Sequence, residues 1–334
     1  MTEQPESELL RVTRQFRAAL ERQDAAALKR LTQSYQQLYS RLKDKIDLLA
    51  IAIGEEEPTA AQLVKMVRYK ALIRQVEAEL SDFQVILRNE IGNVTNDAIR
   101  FAGRDVYRAL RAAGNTYGVE LGFNRLPTEA IKTLLGFLQP NSPLYTRIGK
   151  LAEANAEFVR EKLIEGIGLG YNPRKVAALI RDSLGGGLTD ALRMTRTAQL
   201  WSYRESTRAN YLANSDVIEG WIWWAHLEGD PCMACIAEHG SFHDLSETLD
   251  DHYNGRCTQI PAVKGFPSPV TQTGEDWFGK LDESKQRELL GDSKYEALRD
   301  GKFEFNQLIG KHQDSVYGQM TVEEPLQALL TGKD

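Results

Sequence analysis

All three cysteines of this chain, Cys232, Cys235 and Cys257, fall within a 26-residue window, and four of the five histidines, His226, His239, His243 and His252, lie in or beside it. A Cys-x2-Cys turn puts two thiols on one side of a tight knuckle, and tetrahedral zinc then needs two more nitrogen or sulfur ligands. An odd number of thiols cannot complete a disulfide framework, so metal binding is the chemistry this window points to. Cys257 supplies a third ligand. His252, in a segment with the turn formers Asn254 and Gly255, supplies the fourth, with His239 and His243 as alternatives. The spacing is Cys-x2-Cys-x16-His-x4-Cys. Four protein ligands leave no open position for water, so the expected Zn2+ is structural, contributing on the order of 10 kcal/mol to folding, and no catalytic residue is assigned. The bland alternative is three reduced thiols, two of them buried, beside surface histidines.

The elements around this window must hold it. VIEGWIWWAHL, residues 217–227, carries three of the five tryptophans within four positions and reads as a strand. Trp221 and Trp223 then face one side, Ile222 and Trp224 the other, so both faces of a small sheet need cover. Before it, Thr189 to Ala213 reads as the most basic helix of the chain, with Arg193, Arg196, Arg204 and Arg208. Those arginines are either a solvated face opposite Leu192, Thr195, Leu200, Tyr203 and Tyr211, or a contact with double-stranded DNA.

Upstream, apolar residues recur at three and four from Leu9 to Leu49 and again from Leu63 to Ile86, separated by GEEEPT at 54–59, which predicts a long antiparallel helical hairpin. Shorter helices follow, broken at Pro127, at PNSP (140–143) and at Tyr171-Asn172-Pro173. The glycines of GIGLGYNP (166–173) follow a helix and lack a closing Gly-Lys-Ser/Thr, so they read as a helix end rather than a phosphate loop. Gly185, Gly186 and Gly187 are expected to separate a helix over 175–184 from one beginning near Thr189. Beyond Cys257, residues 275–309 read as amphipathic helices burying Trp277, Phe278, Leu281, Leu289, Leu290 and Tyr295. The expected fold is mainly α with a small α+β zinc-clipped module: a helical hairpin arm (1–125), a helical middle region (126–216), the tryptophan-rich sheet with its metal site (217–265) and a helical tail (266–334).

Composition agrees with a folded chain. The 334 residues are 42% hydrophobic and 26% charged, without a run long enough to cross a bilayer or a secretion signal at MTEQPESELL, so neither a membrane role nor export is expected. Residues 1–200 hold 29 Lys+Arg against 24 Asp+Glu, and residues 201–334 hold 12 against 23. The two parts thus differ in sign, weak evidence for an acidic partner of the first.

In order along the chain, Arg196-Thr197, the tryptophan strand, Asp230-x-Cys232-x2-Cys235, Gly240-x-Phe242, His252-x4-Cys257 and Pro261 resemble the minor head proteins of tailed phages, the phage Mu protein F and head morphogenesis family. Trp277-Phe278-x2-Leu281, Gln286-x2-Leu289-Leu290-Gly291, Tyr295, Gly301 and Leu308 are similar to the segment that follows there, so the resemblance spans about 155–310. It departs at Gly255, where the family often has a further cysteine, and at Ala198, where an acidic residue often stands. The resemblance implies a minor capsid protein made in the host cytoplasm and carried in the virion, in the head interior near the portal. Its implied partners are portal protein and major capsid or scaffolding protein, with a role in procapsid assembly and, in some members, in DNA packaging or ejection. The rival readings are a zinc-containing DNA-binding protein and a nuclease built on a His-metal module. The latter lacks a downstream histidine nearer than His312.

Overall fold

A computed structural model describes residues 7–56, 58–135, 142–169, 171, 173–229 and 231–331. The helices are α1 (Glu8–Glu56), α2 (Ala60–Leu63), α3 (Val67–Tyr117), α4 (Thr128–Leu135), α5 (Pro143–Gly168), α6 (Pro173–Leu212), α7 (Met233–Glu238), α8 (Gly274–Gly279), α9 (Glu283–Leu290), α10 (Asp292–Arg299) and α11 (Leu326–Thr331). The strands are β1 (Ile218–Trp224), β2 (Phe242–Asp244), β3 (Thr258–Val263), β4 (Ile309–Asp314) and β5 (Gly318–Glu323). The protein is therefore mainly helical with a small sheet region. The chain forms two compact units: Met1–Arg22, Thr95–Leu135 and Gln199–Asp334 make one, and Gln23–Val94 with Gly136–Ala198 make the other.

The second unit is all helix. Its parts of α1 and α3 run antiparallel, as the pairs Arg30–Glu90 and Arg41–Glu79 show by stepping in opposite directions along the two helices. Between them Leu31, Leu38, Leu42, Ile46, Leu72, Val76 and Leu87 are buried, the stripe the three-and-four spacing predicts. Tyr35 packs edge-on to Phe83 at 4.7 Å and donates its hydroxyl to the Leu184 carbonyl at 2.6 Å. Here one expectation is corrected. Gly185–Gly187 do not break the chain into two helices, since α6 is continuous through them. Close packing explains Gly187, where a Cβ would stand 2.3 Å from the Asn155 side chain of α5. The PNSP and GIGLGYNP segments lie partly outside the described residues.

The first unit holds the sheet, in the order β2-β1-β3, both pairings antiparallel. Both faces of β1 are covered: Trp221, Ile222, Trp223 and Trp224 all join a core with Leu9, Phe16, Val106, Leu110 and Tyr211 from the first parts of α1, the end of α3 and the end of α6. Residues 119–127 have no regular secondary structure and are pinned by the side-chain amides of Asn210 in α6 and Asn214 just beyond it. Asn214 accepts from the Asn124 N–H at 2.6 Å and donates to its carbonyl at 3.0 Å, imitating a strand pairing.

α7 is the seam of this unit. Cys232 and Cys235 contribute to the sheet's core, while Met233 and Ile236 pack with Phe278, Leu290, Phe303, Phe305 and Leu308 of the C-terminal core. That C-terminal region is helical as expected up to Arg299, then forms an antiparallel ribbon, β4 with β5, that the helical reading did not foresee, before α11. The sequence KHQDSVYGQM has little apolar alternation, and its turn is held instead by the Asp314 carboxylate, which accepts from the Val316 and Tyr317 N–H groups at 2.8 and 2.9 Å.

Gly185 and Gly186 are exposed inside α6 with open space around the position of a Cβ. Gly185→Ala and Gly186→Ala are each expected to stabilise by about 0.5–1 kcal/mol by removing the entropy cost of helical glycine, seen as a higher midpoint in thermal or denaturant unfolding. A loss of stability in both would show that the helix needs flexibility there.

Candidate metal centre

The knuckle begins where β1 ends. Cys232 is the N-terminal cap residue of α7 and Cys235 lies one turn into it, so the two thiols share a side of the helix. The loop before β3 brings in the rest. The ligand atoms of Cys232, Cys235 and His252 all lie within 4.8 Å of one another, and those of Cys235, Asp251 and Cys257 do too. The structure thus brings together all four sequence-predicted ligands around Cys235, in two overlapping groups, and adds Asp251.

Hydrogen bonding assigns different roles to the two neighbours Asp251 and His252. The ring nitrogen Nδ1 of His252 is 2.8 Å from the Tyr253 carbonyl, which only accepts, so Nδ1 carries the proton and Nε2, 3.6 Å from Asp251 Oδ1, is the nitrogen left for a ligand. That is the tautomer a metal-bound imidazole needs. Asp251 is saturated. Its Oδ2 accepts from Arg204 at 2.6 Å and from the Cys257 N–H at 3.1 Å, and its Oδ1 accepts from the His252 N–H at 2.9 Å and from the Cys235 thiol at 3.3 Å. A carboxylate has about four acceptor positions. Three of the four are filled by Arg204 and backbone N–H groups, so Asp251 holds the loop in shape, while the fourth takes the Cys235 thiol proton, which leaves if that sulfur binds a cation.

The charges follow from this arrangement. Hydrogen bonding to Cys235 is the largest effect on Cys232, and with the His252 imidazole it outweighs burial and pulls this thiol down to about 4. The interactions with Cys232 and Cys257, together with burial, push Cys235 up. Burial alone would lower His252, but the Cys232 sulfur and Asp251 more than offset it and raise it to about 10. Burial would likewise raise Asp251, and the Arg204 guanidinium overrides it to keep the carboxylate ionised. Cys232 and His252 therefore form a thiolate–imidazolium pair, whose proton a divalent cation would displace.

Arg204 reaches the site from α6. Besides Asp251 it donates to the Gly255 carbonyl at 2.9 Å and to the Cys257 carbonyl at 2.8 Å. Gly255 has to be glycine here, because a Cβ would fall 2.1 Å from the Asp251 carboxylate. On the other side of the loop, β4 and β5 grip the residues that alternate with these. Lys311 pairs with Asp250 at 3.0 Å, the Thr321 hydroxyl donates to Asp250 at 2.9 Å, and the Tyr253 hydroxyl donates to Asp314.

The alternative ligands stand elsewhere. His239 accepts the Ala225 N–H at 3.1 Å and is lowered to about 4 by burial. His243 lies flat on Trp221, ring centroids 4.2 Å apart, with Nε2 2.7 Å from the Ser241 hydroxyl and Nδ1 3.1 Å from Glu247. In outline this is a serine–histidine–carboxylate series, and the Ser241 hydroxyl also lies 2.6 and 3.0 Å from the Glu238 carbonyl and carboxylate. Burial lowers His243, and the carboxylates of Glu238 and Glu247 outweigh it, leaving the value raised.

The DNA-contact assignment is corrected for Arg204, which is 5% exposed and wholly engaged inside the protein. Its position showed this: it follows Leu200 by four residues and precedes Tyr211 by seven, on the buried stripe itself. Arg193 pairs with Asp190, Arg196 with Asp24 and Arg208 with Glu205. Asp251, which beside His252 invites the nuclease reading in the sequence, was not among the expected ligands. Asp230 of the motif lies outside the described residues. Comparison of the chain with family models, with curated proteins and with solved structures gives no match.

Two outcomes are expected. Arg204→Leu leaves Asp251 buried and unpaired, so unfolding measurements should show a loss of about 3–5 kcal/mol; a loss under about 1 kcal/mol would mean the pair does not organise the loop. For His243, the folded value lies above the unfolded one near 6.5. Its contribution to stability is therefore complete below pH about 6.5 and disappears as pH rises through the folded value. Glu247→Gln should lower the His243 midpoint in an NMR titration, and an unshifted midpoint would contradict the ion-pair assignment.

Proposed function

We propose that this chain is a non-enzymatic head-assembly protein of a tailed phage, clipped by one structural zinc ion held by Cys232, Cys235, His252 and Cys257. The observation that carries the metal reading is the convergence of Cys232, Cys235 and His252 within 4.8 Å of one another, with the imidazole fixed in the metal-binding tautomer by the Tyr253 carbonyl. Three thiolates and an imidazole are a soft donor set suited to zinc over magnesium or calcium. When bound, such an ion supplies a rigid cross-link between α7 and the loop before β3. The chain's own residues do the positioning: Asp251 orients the loop, Arg204 neutralises it, and the β1 tryptophans exclude water from one side.

The assembly role is supported by the ordered motifs from Arg196 to Leu308 that resemble minor head proteins, and by long helices of the kind that pack against protein partners. In this reading the chain joins the portal on the inside of the forming head, alongside major capsid or scaffolding protein.

Elemental analysis of the full chain should give close to one zinc per chain, and chelation or Cys232→Ser should lower the thermal midpoint. Zinc-free protein that is fully folded would overturn the metal reading. Coexpression with the portal protein encoded beside it should yield a complex through size exclusion and a chain present in purified procapsids. Absence from procapsids would overturn the assembly reading while leaving the metal site standing.

A further inference from the structure

Where the chain begins and where α3 ends, every basic residue is an arginine. Residues 7–22 and 95–125 together contain nine arginines, no lysine and five carboxylates, one of them, Asp105, buried. On α3, Arg100, Arg104, Arg108 and Arg111 are spaced by four, four and three and are all exposed, opposite the buried Ala98, Ala102, Val106, Ala109 and Ala113. On α1, Arg11, Arg14 and Arg22 are exposed opposite the buried Leu9, Phe16 and Leu20.

The two rows are neighbours within one unit. Leu20 shares a cluster with Ala98 and Ala102, and the Arg108 guanidinium lies 5.6 Å over the Phe16 ring. The exposed Arg125 extends the patch, since its side chain lies along α3 3.2 Å from where a Gly103 Cβ would be and its guanidinium meets the Arg100 carbonyl at 3.5 Å. Local carboxylates offset part of the charge, with Arg11 to Glu8 at 3.8 Å, Arg100 to Asp97 at 2.7 Å and Arg104 to Asp105 at 2.9 Å.

An ordinary solvated face mixes lysine, arginine and carboxylates along its length. Here guanidiniums converge from three segments of the chain, and like charges held together repel unless an anion joins them. Guanidinium is the group that meets phosphate oxygens in a bidentate fork, where lysine offers a point charge. From Arg100 to Arg111 the helix advances about 16 Å, long enough to follow about five phosphates of one strand.

We infer that the arginine face of α1 and α3 is a sequence-independent binding surface for the phosphate backbone of duplex DNA. It is distinct from the α6 arginines and separate from the thiol cluster, so it holds whether or not the metal reading does.

The test is anisotropy of a fluorescein-labelled 30-base-pair duplex of mixed sequence titrated with the full chain. Binding should weaken by about 10³-fold or more between 50 and 200 mM salt if about six phosphates are contacted. Arg11→Glu/Arg22→Glu/Arg111→Glu should weaken binding at least tenfold and flatten the salt slope, with circular dichroism and thermal midpoint unchanged. The milder Arg→Gln triple should give an intermediate loss even if the reversal perturbs folding. Arg193→Glu should leave binding as it was. No binding at 50 mM salt, binding insensitive to salt, or equal affinity in both triple variants would each overturn the inference. Stronger competition by polyglutamate than by unlabelled duplex at equal charge would do so too, marking the face as a site for an acidic protein.

Discussion

The buried pairing of Arg204 with Asp251 is the interaction on which the rest of the first unit depends. An isolated charge of either sign at this depth would cost several kcal/mol, so the two are tolerable only because each is also saturated with hydrogen bonds. Arg204 ties the loop's carbonyls to α6, and Asp251 gathers its N–H groups. The loop before β3 has no regular structure of its own. Its conformation, and hence the direction in which Cys257 and His252 point, is imposed by this pair from one side and by the β4–β5 ribbon from the other.

The same logic explains why a chain with a tryptophan-rich strand and little other apolar mass nearby can keep three thiols close without linking them. The sheet is covered by helices drawn from both distant parts of the chain, and α7 is wedged between two cores. Two of the thiols are thus positioned by α7 and the third, Cys257, by the loop before β3. Packing alone thus brings the ligand atoms of Cys232, Cys235 and His252 within 4.8 Å of one another. It also separates roles that look alike in the sequence: His243 and His252 are both imidazoles beside carboxylates, but only His252 has a ring nitrogen turned to sulfur.

Much of this was legible beforehand. The stripes from Leu9 to Leu49 and Leu63 to Ile86 gave the hairpin because a period near 3.6 has one physical meaning over that length. The Cys-x2-Cys knuckle and the strand before it were equally plain. What escaped notice was decided by contacts remote in sequence. Gly185–Gly187 read as a break because propensity counts against glycine, whereas tertiary packing carries α6 straight through. Arg204 read as a surface cation because its partner is 47 residues away. The β4–β5 ribbon has no alternating apolar pattern to announce it, as its role is to hold polar groups of the neighbouring loop.

The first unit is stitched from three separated stretches of chain, and this sets an order on its making. During synthesis Phe16 emerges roughly two hundred residues before Trp221, the aromatic it shares a core with, and the ribbon that braces the loop comes later still. Until the ribosome has delivered β4 and β5, the loop carrying His252 and Cys257 is held from the Arg204 side alone, without the partners of Asp250 and Tyr253. Early termination before the end of β5 is therefore far more damaging than the modest, mostly polar surface of that ribbon suggests.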